Sequence, residues 1–335
     1  MNKITTITAI LASWLSFAQQ APQLNKNNIK EVVKAMTLDE KIHFVSGIGM
    51  SITQGSDGPV AGSIGGKVPG AAGATVAMPR LGIPSIIMAD GPAGLRIEPT
   101  IINGEKTYTT AFPIGSLIGS TWNPTLSHSV GKAMGNEVKE MGVDVLLAPG
   151  MNLIRNPLCG RNYEYYAEDP VLTGEMAAAM INGIQSQGVG TSVKHFVANN
   201  QESNRYGVSA LVSQRALREL YLRGFEIAIK KSNPWTIMSS YNKINGTYVS
   251  ENTELLTEIL RDEWNYKGMV TTDCFAGRNF ANQVKAGNDL LMPGRKQETK
   301  KIKEALDNGT LKEAELERNI ERIRSYPRKL WRDFP

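Results

Sequence analysis

LTGEMAAAMINGIQSQGVGTSVKHFV, residues 172–197, runs from a helical pattern into a short apolar, β-branched segment carrying two chemistry-bearing residues, Lys194 and His195. Apolar residues recur at helical spacing up to Ile184, Gly188 closes the pattern, and TSVKHFV has strand composition, so the stretch reads as a helix feeding a strand. The same rhythm recurs on both sides. SIIMAD (85–90), FPIGSLIGS (112–120), DVLLAPG (144–150), TIMSSYN (236–242), GMVTTD (268–273) and DLLMPG (289–294) are further strand-like runs. Between them lie helix candidates such as LSHSVGKAMGNEVKEMG, SQRALRELYLRGFEIAIKK, ELLTEILRDEW and TKKIKEALDNG. Strands alternating with helices imply a parallel sheet with helices outside it.

An open doubly wound sheet would place a GxGxxG turn after one strand and gather polar residues in a single crevice, and neither feature is present. Instead, Asp90, Arg155, Lys194, His195, Tyr241 and Asp273 fall at or just past the ends of successive runs. A closed barrel explains that distribution, because the C-terminal ends of its strands converge on one mouth. The expectation is an α/β fold, a single-domain (β/α)8 TIM-like barrel over residues 19–335, with seven strands visible and the eighth unassigned.

The rest of the chain bounds the reading. Its 335 residues are 41% hydrophobic and 21% charged, an ordinary globular composition. The net charge of +5 is scattered, which argues against a dedicated nucleic-acid or membrane surface. Residues 1–18 combine a lysine, an apolar run too short to span a bilayer, and small residues before Gln19, the pattern of a signal peptide cleaved after Ala18. The mature protein is therefore expected to be exported, to a periplasm or the extracellular space. Thr37 is placed as an N-cap before LDEK, and a Gly-rich stretch from Gly47 to Gly73 reads as a long loop without a phosphate-binding context. Three histidines without close Cys/His spacing make a metal site improbable, and no cofactor is expected. Cys159 and Cys274 would pair only if the fold brought them together; two free thiols are the simpler expectation.

Singly, each strand-end residue has a plain explanation. Asp273 could cap the following helix, Asp90 could hold a Gly-Pro turn, Arg155 could pair with Glu164, Glu168 or Asp169, and Tyr241 could be a core tyrosine. Lys194 and His195 are adjacent, so strand alternation would separate them unless the backbone turns there. Together, these residues surround one opening with two carboxylates and several hydrogen-bond donors, which suits a neutral, hydroxyl-rich ligand. Tyr163, Tyr165 and Tyr166 could stack on sugar faces.

MADGPAGLR, LAPGMNLIRNPLCGRNYEYYAEDP, VKHFVANNQESNR, RALRELYLRGFE, MSSYNKINGTYVSEN, GMVTTD and AGNDLLMPG resemble, in this order, the N-terminal barrel of glycoside hydrolase family three, the β-glucosidase family. The resemblance runs from about Met36 to the C-terminus. It implies that Asp273 is the nucleophile of a retaining mechanism, that Asp90, Arg155, Lys194 and His195 bind the sugar being cleaved, and that Tyr241 lies beside the nucleophile.

Two departures qualify it. Many relatives have Trp after the nucleophile, where this chain has Cys274. A retaining glycosidase also needs a second carboxyl about 5 Å from the first, which β-glucosidase members supply from a second, α/β sandwich domain. The chain ends at SYPRKLWRDFP, so that domain is expected to be absent, the product truncated, and a separate chain a conceivable source of the missing part. A one-domain N-acetylhexosaminidase type resembles KHFPGHG where this chain reads KHFVANNQE, leaving Glu202 as an in-chain carboxyl best read as structural. The alternatives to a β-glucosidase are a self-sufficient barrel β-N-acetylhexosaminidase and a non-catalytic secreted carbohydrate-binding barrel.

Overall fold

The computed structural model describes residues 21–48, 53–55, 58–60, 68–102 and 104–322. The expected signal peptide, about half of the Gly-rich stretch and SYPRKLWRDFP lie outside these residues; the described part of the Gly-rich stretch is not all loop, since Thr53–Gly55 pairs antiparallel with Gly58–Val60. Helices α1 (Ile29–Ala35) and α2 (Leu38–Ser46) open the fold. Thr37 caps α2 as its sequence position predicts: its Oγ1 accepts from the Glu40 N–H at 3.2 Å, and the Glu40 carboxylate accepts from the Thr37 N–H at 2.8 Å.

The central sheet has six strands: β1 (Gly73–Ala74), β2 (Ile87–Asp90), β3 (Val145–Leu147), β4 (Gly190–Phe196), β5 (Thr236–Ser239) and β6 (Met269–Thr272), arranged β6-β5-β4-β3-β2-β1. β1 runs antiparallel to β2, and all other pairs are parallel. The longer helices that follow are α3 (Gly115–Gly119), α4 (Pro124–Glu140), α5 (Pro170–Gln185), α6 (Arg223–Ser232), α7 (Glu254–Glu263), α8 (Phe280–Ala286), α9 (Lys296–Asp307) and α10 (Glu313–Ile320), and three small sheets of two or three short strands lie apart from the central one. No helix among the described residues is long and apolar enough to cross a membrane.

Strand alternation divides the core in two. Ile87, Ala89, Leu146, Ile237 and Val270 join the outer cluster with Met176, Phe225 and Leu256 of the flanking helices. Met88, Val145, Leu147, Met238 and Met269 point the other way, into a cluster shared with α1, α2 and the C-terminal helices. Both faces of the sheet are therefore buried, as a parallel sheet requires.

The closed eight-stranded barrel is not what forms among the described residues; the sheet is a curled half-barrel of six strands. FPIGSLIGS supplies α3 instead of a strand. Its Gly115 and Gly119 lie one helical turn apart against the backbone of Glu164 and Tyr166, where an added Cβ would meet carbonyl oxygens at 2.2 and 2.1 Å. DLLMPG makes isolated contacts in place of a ladder. Asp289 N–H donates to Val270 O at 2.7 Å, Thr272 N–H to Leu290 O at 3.0 Å, and Leu291 N–H to Val45 O at 2.7 Å. Ile48 N–H then donates to Ala74 O at 2.7 Å, so irregular backbone spans the gap from β6 to β1.

Candidate active site

The inward alternation of β2 and β6 continues past their last apolar residues. Met88 and Met269 face the inner core, so Asp90 and Asp273, two and four residues further on, fall on the same side at the strand tips. Gly91 makes the turn after Asp90 possible. Its φ is 156°, and a Cβ there would meet Gly94 O at 1.9 Å. Asp273 is not a helix cap, because Asn279 caps α8 by accepting from the Asn282 N–H at 3.0 Å.

These tips open into a cavity of about 900 Å³ whose lining includes Asp90, Lys194, His195, Tyr241 and Asp273. Lys194 and His195 both reach it although Val193 and Phe196 belong to the outer core, and the Lys194–His195 peptide is cis. Five of the six sequence-predicted site residues are thus brought together. Arg155 is not: it is exposed and stands apart from the lining, which contains Arg161 instead. Of the three candidate tyrosines, only Tyr163 reaches the cavity; Tyr165 and Tyr166 are buried in the core.

Asp90 and Asp273 differ in environment. Lys194 Nζ donates to Asp90 Oδ1 at 2.5 Å, and Arg96 Nη1 lies 3.9 Å from Oδ2. Burial alone would raise the Asp90 carboxyl, but the Lys194 charge and hydrogen bond, helped by Arg161 and Arg96, hold it below the usual carboxylate range. At Asp273, burial outweighs the charges of Arg161 and Lys194, the neighbouring Tyr241 hydroxyl and the Cys274 N–H, and its carboxyl is raised. Cys274 N–H donates to Asp273 Oδ1 at 2.8 Å, whereas buried Oδ2 has no hydrogen-bond partner.

His195 faces that oxygen with Nε2 at 3.7 Å. Asn152 fixes the histidine backbone at both ends, its Oδ1 accepting from the His195 N–H and its Nδ2 donating to His195 O, each at 2.9 Å. The same Oδ1 lies 3.3 Å from Nδ1, which sets that nitrogen as the proton-bearing one. Burial, with the charges of Arg161, Lys194 and Arg205, pushes His195 well below its ordinary value, so the ring is neutral near pH 7. Burial and the Asp273 charge raise the Tyr241 hydroxyl, which remains protonated. Burial together with Asp273 and Asp90 lifts the Cys274 thiol to about 12, so it offers no thiolate. Both cysteines are free.

Several lining residues escape the sequence reading. Arg205 stands 4.6 Å from the Tyr241 ring centroid and 5.2 Å from that of Tyr206, and these two rings are 4.6 Å apart. Glu202, read from sequence as structural, accepts from Arg205 Nη1 at 2.9 Å and Asn199 Nδ2 at 3.1 Å. Arg161 Nη2 pairs with buried Glu164 at 2.5 Å. Besides Asp273, the described carboxylates lining the cavity are therefore each held by a cation: Asp90 by Lys194, Glu164 by Arg161, Glu202 by Arg205. No group of His, Cys, Asp and Glu among the described residues has the arrangement of a metal site.

Comparison with known proteins agrees with this geometry. Residues 70–326 match the model of the glycosyl hydrolase family 3 N terminal domain. The chain is 44% identical over 302 residues to thermostable beta-glucosidase B of Acetivibrio thermocellus, covering 88% of this chain and 37% of that protein. It is 46% identical over 242 residues to an exo-alpha-(1->6)-L-arabinopyranosidase of Bifidobacterium breve, covering 71% and 32%. Among solved structures, beta-glucosidase 3B from Thermotoga neapolitana in complex with alpha-D-glucose superposes with a TM-score of 0.83 at 51% identity, over 91% of this chain and 44% of that one. The chain thus spans about a third to just over two fifths of the length of these relatives. A strand-tip site, a shared α/β architecture and a family match over most of the sequence meet in one conclusion: this chain belongs to glycosyl hydrolase family 3 and carries its N-terminal domain.

Proposed function

We propose that the protein takes part in hydrolysis of β-glucosides or closely related glycosides by a retaining mechanism, with Asp273 as nucleophile. The observation that carries this reading is the state of the Asp273 carboxyl. One oxygen is fixed by the Cys274 N–H, and the other is buried, unpartnered and set at a sugar-sized cavity. Oδ2 attacks the anomeric carbon as the bond to the leaving oxygen breaks, giving a glycosyl ester that water then hydrolyses. Asp90, kept ionised by Lys194, accepts from vicinal hydroxyls, while Lys194 and Arg161 donate. Neutral His195 leaves its Nε2 lone pair for a hydroxyl proton.

The leaving oxygen must gain a proton, and the described lining carboxylates are engaged with cations, so we assign the proton donor to a group outside the described residues. That pairing weighs against a self-sufficient hexosaminidase using Glu202. It also supports the second reading, a sugar-binding barrel that performs no chemistry. Export, inferred from residues 1–18, belongs to the same proposal.

Incubation with a 2-deoxy-2-fluoro-β-glucoside bearing a dinitrophenolate leaving group separates the two readings, because that group departs without a proton. Mass increase mapped to Asp273, and its loss in Asp273→Asn, is the expected result. Glucose binding without any adduct would replace the catalytic reading with the binding one.

A further inference from the structure

Beyond the sugar pocket, a second cavity of about 250 Å³ shares two walls with it, Tyr206 and Phe275. Phe275 is two residues past the nucleophile, so the shared wall stands beside the reacting carboxyl. Its backbone has φ 68°, an unusual value for a non-glycine residue, and its N–H donates to Met292 O at 3.1 Å. The ring is covered by the Arg295 guanidinium at 4.8 Å, and Arg295 and Lys301 also stand 6.0 and 5.7 Å from the Phe280 ring.

The lining of this cavity combines three aromatic rings with Arg278, Arg295 and Lys301, and holds no carboxylate. Arg295 is engaged by buried Glu298 at 2.9 Å. Arg278 donates only to main-chain oxygens, to Gly277 O at 2.7 Å and Tyr206 O at 3.5 Å. The nearby Glu251 carboxylate is turned to the main chain, its Oε1 accepting from the N–H groups of Arg278 and Asn279 at 2.6 and 2.9 Å. Among the described residues, no carboxylate lies within ion-pair reach of Arg278 or Lys301. Two cations are thus left facing a small aromatic-walled space that adjoins the sugar pocket at Tyr206 and Phe275.

We propose that this second cavity is a leaving-group subsite for an anionic aglycone, one whose carboxylate, as in a uronic acid, is met by Arg278 and Lys301 while its ring packs on Phe275 and Tyr206. The assignment rests on the glycosidase reading above and names a substrate class for it. Cys274 lines the sugar pocket alone, so the two spaces meet at Tyr206 and Phe275. Aromatic faces suit a sugar or aryl ring, and two uncompensated cations select charge, since a guanidinium and an ammonium gain more from a carboxylate than from a hydroxyl.

The test is calorimetric binding of two disaccharides, glucosyl-β-1,4-glucuronate and cellobiose, to the wild-type chain and to Arg278→Gln/Lys301→Gln. Binding needs no proton donor and no turnover. Tighter binding of the uronate by about five- to tenfold in the wild type is expected, as for one or two partly exposed charge-assisted contacts. The uronate-to-cellobiose ratio should fall to near one in the double variant and shrink with added salt. Equal affinities in the wild type, undetectable binding of both, or a preference that survives the double substitution would overturn the subsite. Labelling of Asp273 by the fluoroglucoside in the same preparation reports separately on the glycosidase reading.

Discussion

Two carboxylates at the tips of β2 and β6 differ because only one is bonded to a lysine. Asp90 keeps its charge through Lys194, whereas burial raises Asp273 despite Arg161 and Lys194. Asp273 reacts only when ionised, so its raised value moves the acid side of its reactivity upward. The rate of labelling by the fluoroglucoside is expected to fall on acidification around a midpoint above the ordinary aspartate value of 3.8, with no inflection from His195 near 6.5, because burial keeps that ring neutral. Lys194→Met removes a charge that favours the Asp273 carboxylate and leaves the Asp90 charge balanced only by the more distant Arg96 and Arg161, so the midpoint must rise further. An unchanged midpoint in that variant would mean that Lys194 does not act on the nucleophile. The arginines make a second residue-level case. Sequence position put Arg155 just past a strand end, but the chain runs on through an exposed loop and returns with Arg161 at the cavity. Arg161→Lys keeps a charge but loses the planar fork, and glucose affinity measured by calorimetry should weaken about tenfold or more, against less than about twofold for Arg155→Ala. Arg161 was hidden in sequence because loop length does not tell where a loop turns back. Arg205 and Tyr206 escaped for a related reason, since they lie well past the end of β4 in a loop whose path only tertiary contacts define.

At the level of elements, the strands were legible where a single periodicity could satisfy both faces. SIIMAD, DVLLAPG, TIMSSYN and GMVTTD each have apolar residues for both core clusters, TSVKHFV sends its apolar residues to the outer one, and each supplies a parallel strand. FPIGSLIGS misleads because it is equally apolar, yet its two glycines four residues apart mark a helix face pressed on another backbone. DLLMPG misleads because it is buried without being laddered, and burial is all that its composition reports. Strand β4 shows how an element holds the site. Phe196, one residue after His195, meets Phe225 edge-on at 5.3 Å and Trp264 at 6.1 Å, tying the strand to α6 and to the residue that ends α7. Phe196→Ala removes a fully buried ring from that junction, and urea unfolding should show a loss of about 3–5 kcal/mol. Phe196→Leu fills most of the space and should recover much of that loss; a cost below about 1 kcal/mol for the alanine variant would show that the outer core does not depend on this contact.

Across the whole molecule, the difficulty of a half-barrel is its open seam, and here two ion-paired ties bring the C-terminal helices to it. Lys41 of α2 reaches Glu317 at 2.6 Å and Glu313 at 2.7 Å on α10. Asp289, fully buried between β6 and the C-terminal helices, accepts from Arg261 Nη2 and the Val270 N–H at 2.7 Å each and from Arg322 Nη1 at 2.5 Å. The two ties differ in what remains when they are cut. Lys41→Met leaves glutamates whose side chains are 51% and 30% exposed and can turn to water, and an apolar chain of similar length fills the vacated space. Its cost should stay within about 1 kcal/mol. Asp289→Ala leaves the Arg261 guanidinium and the Val270 N–H buried without their acceptor, and should cost about 3–5 kcal/mol by urea unfolding. Because Val270 belongs to the strand that delivers Asp273, the Asp289 variant should also slow labelling of the nucleophile under conditions where the chain is still folded, while the Lys41 variant should not. Equal effects of the two substitutions on labelling would show that the seam stabilises the fold without positioning the reacting carboxyl.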